Sequence, residues 1–280
     1  MFLKLQRTAE FTKKEEMYLI FLREKKASVY CLQDTHLLNS DDASVHTQWG
    51  FDNILCQGKN DARGVMNLFL NNFEYKLLRT KKDDKGNLLV VEIEVCNKMK
   101  ITLVNIYGPN KDEPSFFENI HDTLCDFDND FVLVCGDWNL TQDYDKDCFN
   151  YVSHNYPNSR SVVEKLKENF NLVDPWRIFY PDKRIFTWHR TNPVKQARLD
   201  FFLISNELMS LVNSVQILPG YRTDHSYIEL ELKISDFDKG PGFWRFNNSL
   251  LKEKDYVDLV KHCILETKKK ITSHYPLLKI

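Results

Sequence analysis

Short apolar runs that stop abruptly at polar strings recur along the chain, and no other feature of its sequence constrains the fold as much. Ala27 to Leu32 runs into Gln33, Asp34, Thr35 and His36; Ile101 to Tyr107 and Phe131 to Cys135 end the same way, at Gly108-Pro109-Asn110 and Gly136-Asp137-Trp138-Asn139. Gly64 to Leu70, Leu88 to Val95, Ile185 to Trp188, Leu199 to Ile204 and Tyr227 to Ile234 extend the series, the last alternating Ile228, Leu230 and Leu232 with charged partners. Runs of this length, with this alternation and with turn formers at their ends, read as strands.

Helical stretches interleave with them. Thr12 and Glu15 read as a capping box ahead of Met17, Ile20 and Phe21, in a segment ending near Lys26. Pro114 opens a stretch whose Phe117, Ile120, Leu124 and Phe127 share one face, and Ser161 to Phe170 forms another. Strands in both halves with helices between them predict an α/β (α+β) chain: a four-layered sandwich of two packed mixed sheets flanked by helices. Asp236 to Gly242, with two glycines and a proline among charges, reads as a domain edge. The reading is therefore a main domain over 1–235, then a linker and an amphipathic helix over 236–280 marked by Val257, Val260, Ile264 and Ile271.

Composition narrows the function. A content of 42% hydrophobic residues supports one large core. A formal charge of -2 excludes a protein that coats nucleic acid by bulk electrostatics, so any such contact must be local. Seven cysteines form no CxxC pair, which fits a reducing compartment. No apolar stretch reaches the roughly 20 residues needed to span a bilayer, and no signal-peptide core precedes the first charges, so a soluble, intracellular protein is the expectation, and a monomer is expected beside it.

The polar strings hold the chemistry. Alternation puts Asp137 and Asn139 on one side, where a carboxylate can take a proton from water or hold a metal, and a carboxamide can donate to a phosphate oxygen. Asp34 is a second carboxylate at a strand end, suited to a hard divalent ion. Thr223-Asp224-His225 precedes the last strand, and Asp200 lies in the strand segment before it; a carboxylate beside an imidazole fixes its tautomer and favours its charged form. Each string taken alone has an ordinary reading: Gly-Asp and Asn form turns, Asp34 caps a loop, and one His among eight is incidental. Their order is more telling than any one of them.

Gln33-Asp34-Thr35-His36, Asn105-Ile106-Tyr107-Gly108-Pro109-Asn110, Gly136-Asp137-Trp138-Asn139 and Thr223-Asp224-His225-Ser226 resemble successive signatures of the endonuclease/exonuclease/phosphatase superfamily. Leu172 to Arg177, Arg184 to Trp188, Arg198 to Ile204 and Gly242 to Asn248 resemble its LINE-type, L1-like non-LTR retrotransposon branch. The resemblance implies an endonuclease that nicks one DNA strand by Mg²⁺-assisted hydrolysis, with Mn²⁺ as a substitute, leaving a 3′ hydroxyl that primes reverse transcription. It implies double-stranded DNA, the element's RNA and a reverse transcriptase in the parent polyprotein as partners, and the nucleus as the place of action.

By the same resemblance Asp34, where the superfamily more often has Glu, and Asp224 are the metal-side acids, and Asp137 activates or orients the attacking water. Asn139 holds the scissile phosphate, and His225, oriented by Asp200, stabilises the charge of the pentacovalent transition state. Tyr107 and Asn110 contact the phosphate or leaving group, Thr187 matches a site residue of the LINE branch, and Gln33 and His36 orient the metal side. Trp188 to Arg198 resembles a surface hairpin that probes the minor groove, with His189, Arg190, Lys195 and Arg198 supplying positive charge.

One segment departs from the pattern. The family's first strand bears an Asn-x-Asn-Gly type string, and the corresponding positions here read Leu5-Gln6-Arg7-Thr8, so Met1 to Glu10 reads as a degenerate first strand from a misplaced start or a decayed 5′ end. Two alternatives stay open beside a working nuclease: a catalytically impaired remnant that keeps the fold as a DNA-binding or interaction module, and a phosphatase or abasic-site repair enzyme on the same fold.

Overall fold

A computed structural model describes residues 2–4, 13–38, 41–58, 62–96, 98–151, 156–221, 223–234 and 252–274. The chain divides into two compact units, Met1–Asp236 and Phe237–Ile280. In the second unit the described residues include one long helix, α8 (Lys254–His274).

Two six-stranded sheets make up the first unit. Strands β1 (Phe2–Lys4), β2 (Val29–Gln33), β3 (Asn53–Cys56), β4 (Val65–Phe69), β14 (Val212–Leu218) and β15 (Tyr227–Leu232) lie in the order β14-β15-β1-β2-β4-β3. The second sheet holds β5 (Tyr75–Lys82), β6 (Leu88–Val95), β7 (Met99–Tyr107), β8 (Val132–Asp137), β10 (Leu172–Val173) and β13 (Asp200–Ser205), in the order β10-β13-β8-β7-β6-β5. Both are mixed, since β1 runs parallel to β2 and β7 parallel to β8 among antiparallel neighbours. A small third sheet joins β9 (Cys148–Phe149), β11 (Trp188–Thr191) and β12 (Val194–Ala197) in the order β11-β12-β9.

Helices close the outer faces. Tyr18, Leu19 and Leu22 of α1 (Lys13–Lys25), with Val45 and Trp49 of α2 (Asp42–Trp49), pack on Tyr30, Leu32 and Leu68 of the first sheet. Gly50, left-handed at φ 75°, ends α2 by donating its N–H to the His46 carbonyl at 2.9 Å, and the Trp49 indole donates to the Phe69 carbonyl at 2.9 Å. On the second sheet, Phe117, Ile120, Leu124 and Phe127 of α3 (Pro114–Phe127) meet Val163 and Leu166 of α5 (Pro157–Asn169) over Val104, Ile106, Val132 and Val134. Burial of each such side chain contributes about 1.5–3 kcal/mol, which is what holds an amphipathic helix to its sheet. Two sheets between two helical layers are the four-layered sandwich expected from the sequence.

Some elements differ from expectation. The strand expected over Ile185 to Trp188 begins only at Trp188, because Thr187 is tied by its hydroxyl and backbone to other segments. Helix α5 starts earlier than Ser161, at Pro157, whose missing N–H suits a first helical turn. Strands β3, β5 and β14 went unpredicted; β5 carries Lys76, Arg79, Lys81 and Lys82 on an edge, which hides the strand pattern under charge. Short helices α4 (Tyr144–Asp147), α6 (Pro175–Phe179) and α7 (Asn206–Met209) fill connections. Within the segment expected as a degenerate first strand, Phe2–Lys4 pairs between β15 and β2. Leu5 to Thr8 and the Thr12 cap lie outside the described residues. Among the described residues no helix is long and apolar enough to cross a membrane.

Candidate active site

Register assembles the site. Strand β8 lies between β7 and β13, and Asp137 is directly opposite Tyr107 on one side and Asp200 on the other. Neighbouring strands stand about 4.8 Å apart and directly paired residues share a face, so the two carboxylates are side by side. Gly136 permits this row, since a Cβ there would lie 2.1 Å from the Ile106 carbonyl oxygen of β7. Nothing larger fits.

His225 enters from the other sheet's side, just before β15 and bridged to Trp188. Its Nδ1 lies 2.8 Å from Asp200 Oδ2. A carboxylate only accepts, so Nδ1 carries the proton and Nε2 is the ring's second functional atom. Asp137, Asp200 and His225 are all buried, and each offers a ligand atom within 4.8 Å of the others. Asp200 Oδ1 is buried with no hydrogen-bond partner among the described residues, an acceptor that a cation or a donor would satisfy.

The loop after β8 is held on every side. Asp137 Oδ1 accepts from the Asn139 N–H at 3.0 Å, and the Asp137 carbonyl accepts from the Gly108 N–H at 2.6 Å. Asn139, left-handed at φ 50°, donates its amide to the Gly108 carbonyl at 2.7 Å, leaving one amide hydrogen for a substrate oxygen. Trp138 is buried and donates its indole N–H to the Phe201 carbonyl at 3.0 Å.

Asn105, missed as a site-builder, and Gln33, expected to orient the metal side, tie this arrangement together. Asn105 on β7 is buried and donates across the sandwich to the carbonyls of Leu32 (3.2 Å) and Met66 (3.1 Å) and to Asn67 Oδ1 (2.8 Å). It also accepts from the buried Gln33 amide, so Gln33 orients the sheet edge. The signal for Asn105 was available, as it is a polar residue inside the apolar run Ile101 to Tyr107.

Asp34 follows β2 in a left-handed conformation at φ 54° and pairs with His36, Oδ1 to Nε2 at 3.0 Å. Asp224 is exposed, and its Oδ2 accepts from the Trp188 indole at 3.1 Å. Neither joins the buried trio of Asp137, Asp200 and His225. Both nevertheless sit at the same end of the first sheet, because β2 runs parallel to β1 and β15 antiparallel to it, and the Gln33–Asn105 contact joins that end to the one bearing Tyr107 and Asp137.

Thr187, expected to touch the substrate, is fully buried. Its hydroxyl accepts from the N–H groups of Leu199 and Asp200, each at 3.0 Å, and its carbonyl accepts from Ser226 at 2.6 Å. It thereby links the segments bearing Asp200 and His225. Asn110 is exposed, with its carbonyl accepting from the Tyr156 hydroxyl at 2.6 Å. On the hairpin of β11 and β12, Arg190 and Lys195 stand opposite each other, Arg190 exposed and Lys195 half-buried.

Arg198 corrects the expectation of a DNA contact. It is fully buried, and its guanidinium holds Asp147 at 2.8 Å and Asp174 at 2.8 Å. Burial disfavours the guanidinium charge, but Asp174 and Asp147 more than offset that and hold it above its usual range. Burial likewise pushes the Asp147 carboxyl up, and Arg198 with Arg177 outweighs it, leaving Asp147 below the ordinary carboxylate value. Buried on two carboxylates, the guanidinium is not presented to a phosphate at the surface.

No family model matches the chain. In sequence it is 30% identical over 249 residues to the transposon TX1 uncharacterized 149 kDa protein of Xenopus laevis, covering 87% of this chain and 19% of that protein. The chain thus spans about a fifth of that relative's length. In structure it is similar to the AP endonuclease LMAP of Leishmania major, with a TM-score of 0.69 and 19% identity over 82% of this chain and 85% of that one. It is also similar to the 3′ phosphatase NExo from Neisseria bound to product DNA hairpin, with a TM-score of 0.65 and 15% identity over 82% and 97% of the two chains. The likeness to these two solved structures shows that the chain shares their fold. The transposon relative agrees with the LINE-type resemblance of segments such as Leu172 to Arg177 and Arg198 to Ile204.

Proposed function

We propose that this chain is the metal-dependent endonuclease domain of a LINE-type retrotransposon, which nicks one strand of DNA by phosphodiester hydrolysis. The observation that carries this reading is the Asp200–His225 pair set beside Asp137 by strand register, all three buried at one sheet edge. Asp137 takes a proton from, or orients, the attacking water. His225, held through Nδ1–H by Asp200 and acting as the imidazolium, donates from Nε2 to a non-bridging oxygen as negative charge builds. Asn139 gives its remaining amide hydrogen to the phosphate, and Tyr107, level with Asp137, supports the leaving group. The 3′ hydroxyl released would prime reverse transcription by a polymerase of the parent polyprotein on the element's RNA, in the nucleus.

A hard divalent cation fits the donors present, which are carboxylate oxygens, including the partnerless Asp200 Oδ1 beside Asp137. Asp34 and Asp224 would hold it at the sheet edge, and the bound ion, Mg²⁺ or Mn²⁺, would offset phosphate charge. Arg190 and Lys195 on the hairpin meet the DNA backbone while the hairpin enters the minor groove.

Incubation of supercoiled plasmid with the protein and Mg²⁺ tests this, with Asp137→Ala and His225→Ala as controls. Nicking by the wild type alone is expected, with both variants reduced by about 10²-fold or more. Equal, negligible nicking by all three favours the impaired remnant, a reading supported by Leu5-Gln6-Arg7-Thr8 standing where the family has asparagines. The likeness to an AP endonuclease supports an abasic-site reading instead, and cleavage restricted to abasic duplex over intact A/T-rich duplex would decide for it.

A further inference from the structure

Cys31 on β2 and Cys135 on β8 belong to different sheets, yet their thiols lie close enough to interact inside the sandwich. Packed sheets ordinarily stand about 10 Å apart, but Cα atoms of β2 and β8 approach within 8 Å, a local narrowing that brings the two strands toward disulfide reach. The residues are 5% and 1% exposed. Both nonetheless line a cavity of about 460 Å³ that opens at the sheet end away from the polar strings, walled by Val29, Val95, Leu103 and Phe202, with Lys25 and Glu229 also on its lining. A small neutral molecule can reach thiols placed in this way. The mechanism derived above uses neither of them.

We propose that Cys31 and Cys135 form a dithiol modification site that a hydroperoxide oxidises to an inter-sheet disulfide. The thiolate of one cysteine attacks a peroxide oxygen, the O–O bond breaks and hydroxide leaves, giving a sulfenic acid. The second thiolate attacks that sulfur and hydroxide leaves again as water; overall two thiols lose two protons and two electrons, and H₂O₂ becomes two waters. Cys31 precedes Asp34 by three residues and Cys135 precedes Asp137 by two, so the bond would pin together the two strands that deliver the halves of the site.

The test uses the full chain with the exposed cysteines Cys96, Cys125 and Cys263 changed to Ser, so that their oxidation does not obscure the pair. After treatment with hydrogen peroxide and alkylation in denaturant, peptide mapping should show a Cys31–Cys135 linked peptide and an intact mass lower by about 2 Da. The Tm should rise by about 5 °C or more and return on reduction. In Cys135→Ala the linked peptide and the rise should both vanish; Cys31→Ala serves as the second variant if that one misfolds. Full alkylation of both thiols after peroxide, or Cys31 linked to another cysteine, would overturn the proposal. None of these readouts depends on nicking, so the outcome is separable from that of the nuclease reading.

Discussion

Thr187 converts one hydroxyl into the geometry of two site residues, since it accepts from the Asp200 and Leu199 N–H groups while its carbonyl holds Ser226 beside His225. Thr187→Val keeps the shape and leaves two buried N–H groups without an acceptor. We expect a loss of about 1–3 kcal/mol in urea unfolding and a fall in nicking of roughly tenfold or more, with Thr187→Ser close to wild type. Arg198→Ala should cost about 3–5 kcal/mol, because it strands Asp174 and half of the Asp147 pairing in the interior. The Asp147 carboxyl is depressed in the folded chain, so its stabilising contribution is present above the unfolded value of about 3.9 and is lost as pH falls through the folded one. Acid titration of urea stability should therefore show a flatter limb below about pH 4 in Asp147→Asn. At this scale the sequence was legible where a residue closes an apolar run, as Asp137 and His225 do. It was not legible for Arg198, whose partners Asp147 and Asp174 come from α4 and the start of α6, so that a basic residue next to a basic hairpin gives no hint of burial.

Among the elements, the hairpin of β11 and β12 is the one to which the proposed function gives an electrostatic role. Arg190 and Lys195 face the same way in register, and each phosphate they neutralise releases counterions. Changing either to Ala should weaken duplex binding similarly across sequences and lower the slope of log K against log salt by about one, read by fluorescence anisotropy at several salt concentrations. The start and the buried face of a helix with a clean apolar stripe, such as α3, were readable to the residue. Edge strands were not: β5 and β14 pair on one side only, so fewer of their positions must be apolar, and charge or mixed polarity fills the rest. The small strand β9 has only two residues, too few to show any period, although its Phe149 pairs with Gln196 and widens the hairpin into a sheet.

For the whole molecule, the alternation of strands and helices was sufficient to predict two sheets between helical layers, but not their strand order, because period alone does not say which strand lies beside which. Residues 1–236 hold both sheets and every site residue described above. We expect that segment alone to unfold in one cooperative transition, with calorimetric and van't Hoff enthalpies in agreement. Two transitions would show that the two sheets melt separately.

The row of Tyr107, Asp137 and Asp200 has a consequence for how such a chain tolerates length changes over time. A residue inserted in the surface stretch between Asp128 and Phe131 only lengthens a connection and leaves the row intact. The same residue inserted between Val132 and Cys135 turns the following side chains to the opposite face and moves Asp137 off its neighbours. Surviving insertions and deletions in copies of this chain should therefore crowd into the connections and be absent from the inner parts of β7, β8 and β13, so that the site is inherited or lost as a block.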